Sequence, residues 1–313
     1  MRKLHDTKAR LRPAATLGDA WRPDATGPAA NALIRARLAT GEPTMITRFG
    51  SGELDVVMRH LGLNHRNPWR ARLDYVWGAA PPPWWEAGFL ADLRLHAGIF
   101  PTTPEVLSRF AELMLADMRL IDVLGSWLPG EADMVRRGLT AKRVPLQDLE
   151  PYFHESPWSQ VLAGRTVLVI HPLAALIAKQ CARRSRLFRN PGVLPDFELR
   201  TITAVVSNGG VQPVFPDWFA ALDSMIDQVS ALHFDVAIIG AGAYGLPLAA
   251  AVKRRGKQAV HLGGAMQLLF GIRGKRWDRR PEFQQFFNEA WVWPDAADRP
   301  PRAQEMEGGG DYW

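Results

Sequence analysis

The sequence predicts a Rossmann-like α/β fold, a mostly parallel sheet covered by helices in a single domain, and three features carry that expectation. Short β-branched or aliphatic runs alternate with amphipathic ones along most of the chain, the pattern of strands joined by covering helices. Two of the runs, Thr166–Ile170 and Phe234–Ile239, are apolar nearly throughout, as strands buried on both faces are. The second passes directly into Gly240-Ala241-Gly242-Ala243-Tyr244-Gly245 and then a helix-forming stretch, the arrangement that opens a nucleotide-binding βαβ unit.

The elements follow in order. Residues 1–42, rich in Pro, Ala, Arg and Asp, read as an irregular arm with one helix around Ala30–Ala39. Residues 43–278 form the continuous α/β stretch, and 279–313, with several prolines and Gly308-Gly309-Gly310, read as a tail. Strands are predicted at Met45–Phe49, Leu120–Leu124, Thr166–Ile170, Thr201–Val206, Phe234–Ile239 and Gln258–Leu262. Ser51 reads as the N-cap of a helix whose inner face is Leu54, Val57 and Leu61. Thr103-Pro104 opens another, with Leu107, Phe110, Met114 and Met118 on one face. Pro216-Asp217 starts a third, carrying Trp218, Phe219, Leu222, Met225 and Val229 at helical spacing. A fourth, Leu246–Arg255, ends at Gly256 as its C-cap. At the far end, Tyr312-Trp313 follows flexible glycines, an odd place for exposed aromatics, so the pair is expected to dock on the body.

Composition narrows the class. At 313 residues, 47% hydrophobic and 22% charged, the chain can bury a full core and is unlike a disordered one. Met1–Arg12 is basic and polar, without the apolar stretch of a secretory signal. No transmembrane segment is expected, because the longest apolar candidate, Phe234–Val252, is broken by glycines and a proline. Cys181 is the single cysteine, which excludes an internal disulfide and a cysteine-built zinc site. Together these features predict a cytoplasmic protein. The net charge of +6 comes mostly from scattered arginines with no basic stripe interleaved with aromatics, so an anionic small ligand is favoured and nucleic acid is not. Oligomeric state, a homo-oligomer included, is not encoded in any of these patterns.

Ligands of open parallel sheets bind beyond the carboxyl ends of the strands. Here those ends carry Gly50-Ser51-Gly52-Glu53, Gly125-Ser126-Trp127, His171-Pro172, Gly240–Gly245 and Gly263-Gly264. Gly240-x-Gly242-x-x-Gly245 is the glycine fingerprint that brings a phosphate to a helix N-terminus. The dinucleotide version also needs a carboxylate ~20 residues on, to hold the ribose. The next strand instead ends at His261-Leu262-Gly263, which disfavours NAD. Arg48, at a strand end beside a glycine turn, is placed to meet an anion, and Glu53 to bind a divalent cation bridging a diphosphate. His171 is a candidate general base. Trp84-Trp85, Trp127 and Trp158 are candidates to stack on a sugar, although most of the twelve tryptophans are expected in the core.

Arg48-Phe49-Gly50-Ser51-Gly52-Glu53 resembles the RFGDGE motif near the start of GT-D-fold glycosyltransferases. The unit ending in Gln258-Ala259-Val260-His261-Leu262-Gly263 is similar to that family's C-terminal unit. Order and separation match, so the resemblance spans residues 43–275, the middle through its alternation alone. It implies transfer of a sugar from a nucleotide-diphosphate-sugar donor to a glycan or polysaccharide acceptor. It also implies a divalent metal, Mn or Mg, held by an Asp-x-Glu pair. Carried over by position, Glu53 is the retained carboxylate and the metal ligand. Ser51 stands where the family has Asp, and His261 where it commonly has one; Asp55, one helical step on, is the alternative carboxylate. The nucleotide sugar would lie against Arg48, Gly50, Ser51, Gly52, Gly240, Gly242, Tyr244, Gly245, His261 and Gly263. Glu53, Asp55 and His171 are the candidates for catalysis. Two readings stay open beside this one: an NAD- or S-adenosylmethionine-dependent enzyme using Gly240–Gly245, and a non-catalytic nucleotide-sugar-binding protein.

Overall fold

Apolar strands that must hide both faces end up in the middle of a sheet, and that requirement organises this chain. A computed structural model describes residues 22–306, 310, 312 and 313; the basic segment Met1–Arg12 and the glycines Gly308 and Gly309 lie outside the described residues. The strands are β1 (Thr44–Thr47), β2 (Val123–Ser126), β3 (Lys142–Pro145), β4 (Thr166–His171), β5 (Glu198–Thr203), β6 (Val236–Ile239) and β7 (Gln258–His261). They form one sheet in the order β3-β2-β1-β7-β6-β4-β5. Every neighbouring pair is parallel, with Ile46 opposite Val123, Met45 opposite Ala259, Ile239 opposite His261, Ile170 opposite Ile239 and Ile170 opposite Ile202.

Side chains alternate strictly through this sheet. Leu168, Ile170, Ala237 and Ile239 point into one core cluster, while Val167, Val169, Val236 and Ile238 point into the other. The covering helices are α1 (Gly27–Ala39), α2 (Ser51–Leu63), α3 (Pro68–Val76), α4 (Ala87–Asp92), which runs into a π-helical turn over Leu93–Ala97, and α5 (Pro104–Asp117). They continue with α6 (Glu131–Arg136), α7 (Ala174–Cys181), α8 (Trp218–Ser230), α9 (Gly245–Arg254), α10 (Met266–Leu269), α11 (Lys275–Asp278) and α12 (Pro281–Gln284). Leu54 and Val57 of α2, Phe110 and Met114 of α5, Trp218 and Met225 of α8 and Leu248 of α9 fill the first cluster. Ile34 and Leu38 of α1, Ile177 of α7 and Leu268 of α10 fill the second, joined there by Phe283, Trp291 and Trp313.

Local chemistry sets the helix ends. Thr103 and Asp217 accept backbone bonds from Val106 (3.4 Å) and Ala220 (2.8 Å), capping α5 and α8 as their sequences require. Gly256 closes α9 with a left-handed φ of 75°. The N-cap expected at Ser51 is displaced: the cap is Gly50, which has no side chain, and Ser51 is already the first helical residue. Strand boundaries also moved. Met118–Leu120 continue α5 as a 3₁₀ turn, so β2 starts at Val123 and not at Leu120. β5 begins earlier than Thr201 and ends at Thr203. β3 was not expected at all, because an edge strand reading Lys-Arg-Val-Pro has one buried residue, Val144, and no apolar alternation.

The topology opens a crevice. After β4 the chain moves outward to β5, whereas after β6 it moves inward to β7, so the connections leave these adjacent strands in opposite directions. Such a switch point leaves space beyond the carboxyl ends of the strands.

Candidate functional site

The space beyond β1, β4, β6 and β7 is a cavity of about 730 Å³. A drug-sized or nucleotide-sized ligand occupies a cavity of that order. Arg48, Gly50, Ser51, Gly52, Glu53, His171, Gly240, Gly242, Tyr244, His261 and Gly263 all border it. Gly245 lies one layer behind, and Asp55 is outside the lining altogether.

At the end of β1 the chain reverses through Phe49 and Gly50 into α2. A side chain on Gly50 would collide with the Glu53 carboxylate, which folds back over this glycine. Arg48 donates from Nε to the Phe49 carbonyl (3.0 Å), and its guanidinium lies 4.7 Å from the Trp127 ring centre. The Trp127 indole donates to the same carbonyl (2.9 Å), so cation and ring are fixed as a unit. Burial lowers the Arg48 pKa and Glu53 raises it again. Arginine remains charged under such pressure, so a cation is held in a largely desolvated wall. Asp55, in contrast, pairs with Arg59 at 3.2 Å on the flank of α2.

The two histidines at strand ends are built in as neutral groups. His171, fully buried, is lowered to about 3 by burial alone, and its Nδ1 accepts from the Leu173 amide (3.0 Å). That bond puts the proton on Nε2, so in this arrangement His171, a general-base candidate by sequence, donates a hydrogen bond from Nε2. His261 is also lowered to about 3, by burial and then by Arg48, and its Nδ1 lies 2.9 Å from the Thr47 hydroxyl. Its ring packs against Gly245, where any side chain would overlap it.

The glycine turn after β6 divides its labour. Gly240 is encased by the His171 ring, the Gly263 carbonyl and the Met266 sulfur. Gly242 takes a left-handed φ of 52°, and a Cβ there would meet nothing within 4 Å. Tyr244 stacks on Trp218 (4.8 Å, 4° between planes) and shares a 2.9 Å hydrogen bond with Ser207; burial raises its pKa to about 12. Gly263, at φ 63°, lies against the Arg48 guanidinium, and Gly264 against the Tyr312 ring.

Several lining residues had no sequence signal. His96 sits in the π-helical turn after α4, and its Nδ1 is buried without a hydrogen-bond partner among the described residues. A π-helical turn is a frequent mark of a functional position but has no readable periodicity. Asp92 precedes it on the same wall, and Arg276 of α11 brings a second cation close enough to Arg48 to act on it electrostatically. Arg276 also donates to the Tyr312 hydroxyl (3.3 Å), and Gln267 to the Tyr312 carbonyl (3.2 Å). The expected docking of Tyr312-Trp313 on the body is therefore observed, with both residues in the cavity wall. Of the tryptophans singled out by sequence, Trp127 borders the cavity; Trp158 is wholly buried with its indole bonded to the Leu149 carbonyl (3.0 Å).

Behind the cation, Glu131 is entirely buried. It accepts from Ser126 and from the amides of Trp127 (3.3 Å) and Leu128 (3.2 Å), and burial pushes its pKa up to about 7 from 4.5. The folded chain thus keeps this proton across a range in which an unfolded chain has lost it. Its stabilising contribution is complete below about pH 4.5 and is lost as pH rises through about 7. Glu131→Gln keeps the acceptor and removes the charge. Its melting temperature is expected to exceed that of wild type at about pH 8, by ~1–3 kcal/mol in stability, and the gap is expected to close toward about pH 4.5. A gap that stays constant across that range would show that Glu131 is not the titrating group.

No protein-family model and no curated protein matches the chain. Two solved structures are similar to it. One is described as a new glycosyltransferase (DUF1792) from Streptococcus sanguinis, with 12% identity, a TM-score of 0.39, and coverage of 85% of this chain and 94% of that one. The other is a selenomethionine-substituted domain of unknown function 1792, with 12% identity, a TM-score of 0.38, and coverage of 88% and 92%.

Proposed function

We propose that the chain is a glycosyltransferase that binds a nucleoside-diphosphate sugar across this cavity and passes the sugar to a hydroxyl of a glycan or polysaccharide acceptor. The observation that carries the reading is the meeting of two glycine turns, Gly50–Gly52 and Gly240–Gly242, with two cations, Arg48 and Arg276, around one cavity of about 730 Å³. Bare backbone admits a diphosphate closely, and a largely buried cation, Arg48, with a half-buried one, Arg276, stabilises the charge that develops as it leaves. The Arg48–Glu53 motif, similar to that of GT-D-fold enzymes, supports the same assignment.

The roles divide accordingly. Arg48 and Arg276 offset phosphate charge, and neutral His171 offers an N–H. The proton of the acceptor hydroxyl falls to a carboxylate or imidazole of the lining, Glu53, Asp92 or His96. Among the described residues no three His, Cys, Asp or Glu side chains gather to hold a cation. Glu53 interacts with Arg48 and Asp92 is the other carboxylate of the lining, so the arginine pair carries the charge of the diphosphate in this reading. An NAD enzyme is disfavoured by β7, which ends in a buried histidine bonded to Thr47 and not in a ribose-binding carboxylate.

Thermal melting in the presence of uridine diphosphate and other nucleoside diphosphates, their sugar conjugates, NADH and S-adenosylmethionine tests this directly. Nucleoside diphosphates are expected to raise the melting temperature by several degrees at ~100 times the dissociation constant, which corresponds to ~2.7 kcal/mol. NADH and S-adenosylmethionine are expected to leave it unchanged. A shift with either of those two and none with any diphosphate would overturn the assignment.

A further inference from the structure

Far along α2 from the cavity, the short helix α3 presents an apolar stripe to solvent. Trp69, Leu73 and Trp77 recur every fourth residue, so they share one face, and they are 70%, 52% and 53% exposed. Leu63, which closes α2 just before, is also exposed. The opposite face holds the helix to the body: Ala71 and Tyr75 are buried, and Tyr75 packs edge-on against Trp84 at 5.0 Å. Asn67 caps the helix by accepting from the amides of Trp69 and Arg70 (3.1 and 3.2 Å), so the stripe is carried on an ordered element.

Charge around the stripe is one-sided. Arg66, Arg70 and Arg72 are all exposed and Asp74, paired with Arg70 at 3.1 Å, is the segment's one carboxylate. Arg72 lies over the Trp69 ring at 5.3 Å, so cation and indole form one amphipathic surface. Tryptophan prefers the boundary between headgroups and hydrocarbon, and nearby arginines add attraction to anionic lipid. At nine residues α3 is too short to span a bilayer, and among the described residues no helix is long and apolar enough to do so. A short helix with an aromatic face and a basic rim suits lying on a bilayer surface.

We propose that α3 is a membrane-surface docking helix, which seats Trp69, Leu73 and Trp77 at the headgroup boundary of an anionic bilayer with Arg66, Arg70 and Arg72 on phosphate. The surface is separate from the cavity and does not depend on the reaction assigned to it. Binding is electrostatically assisted, so it weakens as salt rises.

Flotation of the full chain with vesicles of phosphatidylglycerol and phosphatidylcholine, against phosphatidylcholine alone, decides it. The protein is expected to float with the anionic vesicles at low salt, to stay behind with the neutral ones, and to show blue-shifted tryptophan emission when bound. Replacing Trp69, Leu73 and Trp77 together by serine is expected to abolish flotation with melting temperature unchanged. Arg66→Glu with Arg72→Glu is expected to do the same with the apolar stripe intact. Flotation that survives both variants, or no flotation of wild type, overturns the proposal. So does concentration-dependent self-association in sedimentation that the serine variant loses without any lipid binding, since the stripe would then serve a second copy of the chain.

Discussion

Arg48→Gln is expected to lower the rate of sugar transfer by ~10²–10³ while the protein stays folded, because removing one preorganised charge-stabilising donor from a desolvated site costs that much. The local structure tolerates the change. The Phe49 carbonyl keeps its bond from the Trp127 indole (2.9 Å) when the arginine Nε is gone, so one hydrogen bond of two is lost, a cost of ~1 kcal/mol. In the proposed reaction the loss falls on the chemistry, since the leaving diphosphate would then face Arg276 alone. Glu131, whose pKa Arg48 lowers, would also become harder to ionise. Arg48→Lys is expected to recover only part of the rate: it restores a point charge but not the planar fork that lies against Trp127 and addresses two phosphate oxygens at once. The measurement is release of nucleoside diphosphate from a sugar donor, read beside a thermal melt of each variant. A folded Arg48→Gln protein with undiminished turnover would remove Arg48 from the site and with it the main support for phosphate binding there.

What could be read from the sequence was what each segment decides by itself. β4 and β6 were legible because a strand inside a two-faced core must be apolar on both sides, and Val167 to Ile170 and Val236 to Ile239 are. β3 and the start of β5 were not, because edge strands expose Lys142, Glu198 and Arg200 and lose the pattern that marks a strand. The same rule separates the site residues. His171 ends a strand and Arg48, Glu53, Gly240, Gly242 and Gly263 follow strands, and strand ends of a parallel sheet converge, so sequence position alone brought them together. His96 and Arg276 arrive from a π-helical turn and from a short helix after the last strand, and only tertiary packing delivers them. The tautomer of His171 was not legible for a related reason: it depends on burial and on the bond from the Leu173 amide, which no spacing encodes.

The glycine turn offers the clearest separation of fold from function, because its glycines serve different ends within a few residues of chain. Gly245→Ala is expected to destabilise severely, by more than the ~1–3 kcal/mol typical of overpacking, since the new methyl would overlap the His261 ring. That ring is buried and tied by Nδ1 to the Thr47 hydroxyl (2.9 Å), so it can yield only toward the cavity it borders and at the expense of that bond. Gly242 is the opposite case, with space around it and a demanding backbone. Its φ of 52° costs an ordinary L-residue ~1–2 kcal/mol, but asparagine visits this conformation readily. Gly242→Asn is therefore expected to fold with little loss of stability while its side chain occupies the volume where the proposed donor diphosphate would approach the backbone. Thermal melts should show Gly245→Ala far below wild type and Gly242→Asn close to it, whereas uridine diphosphate should no longer raise the melting temperature of Gly242→Asn. If Gly242→Asn binds the diphosphate as wild type does, the phosphate does not approach that turn, and Gly240–Gly245 is a packing device between β6 and α9. If Gly242→Asn instead unfolds, the left-handed backbone at this turn is required by the fold, and Gly242 belongs with packing. Each outcome moves one glycine between the two columns of fold and function, and the two variants cannot both fail for the same reason.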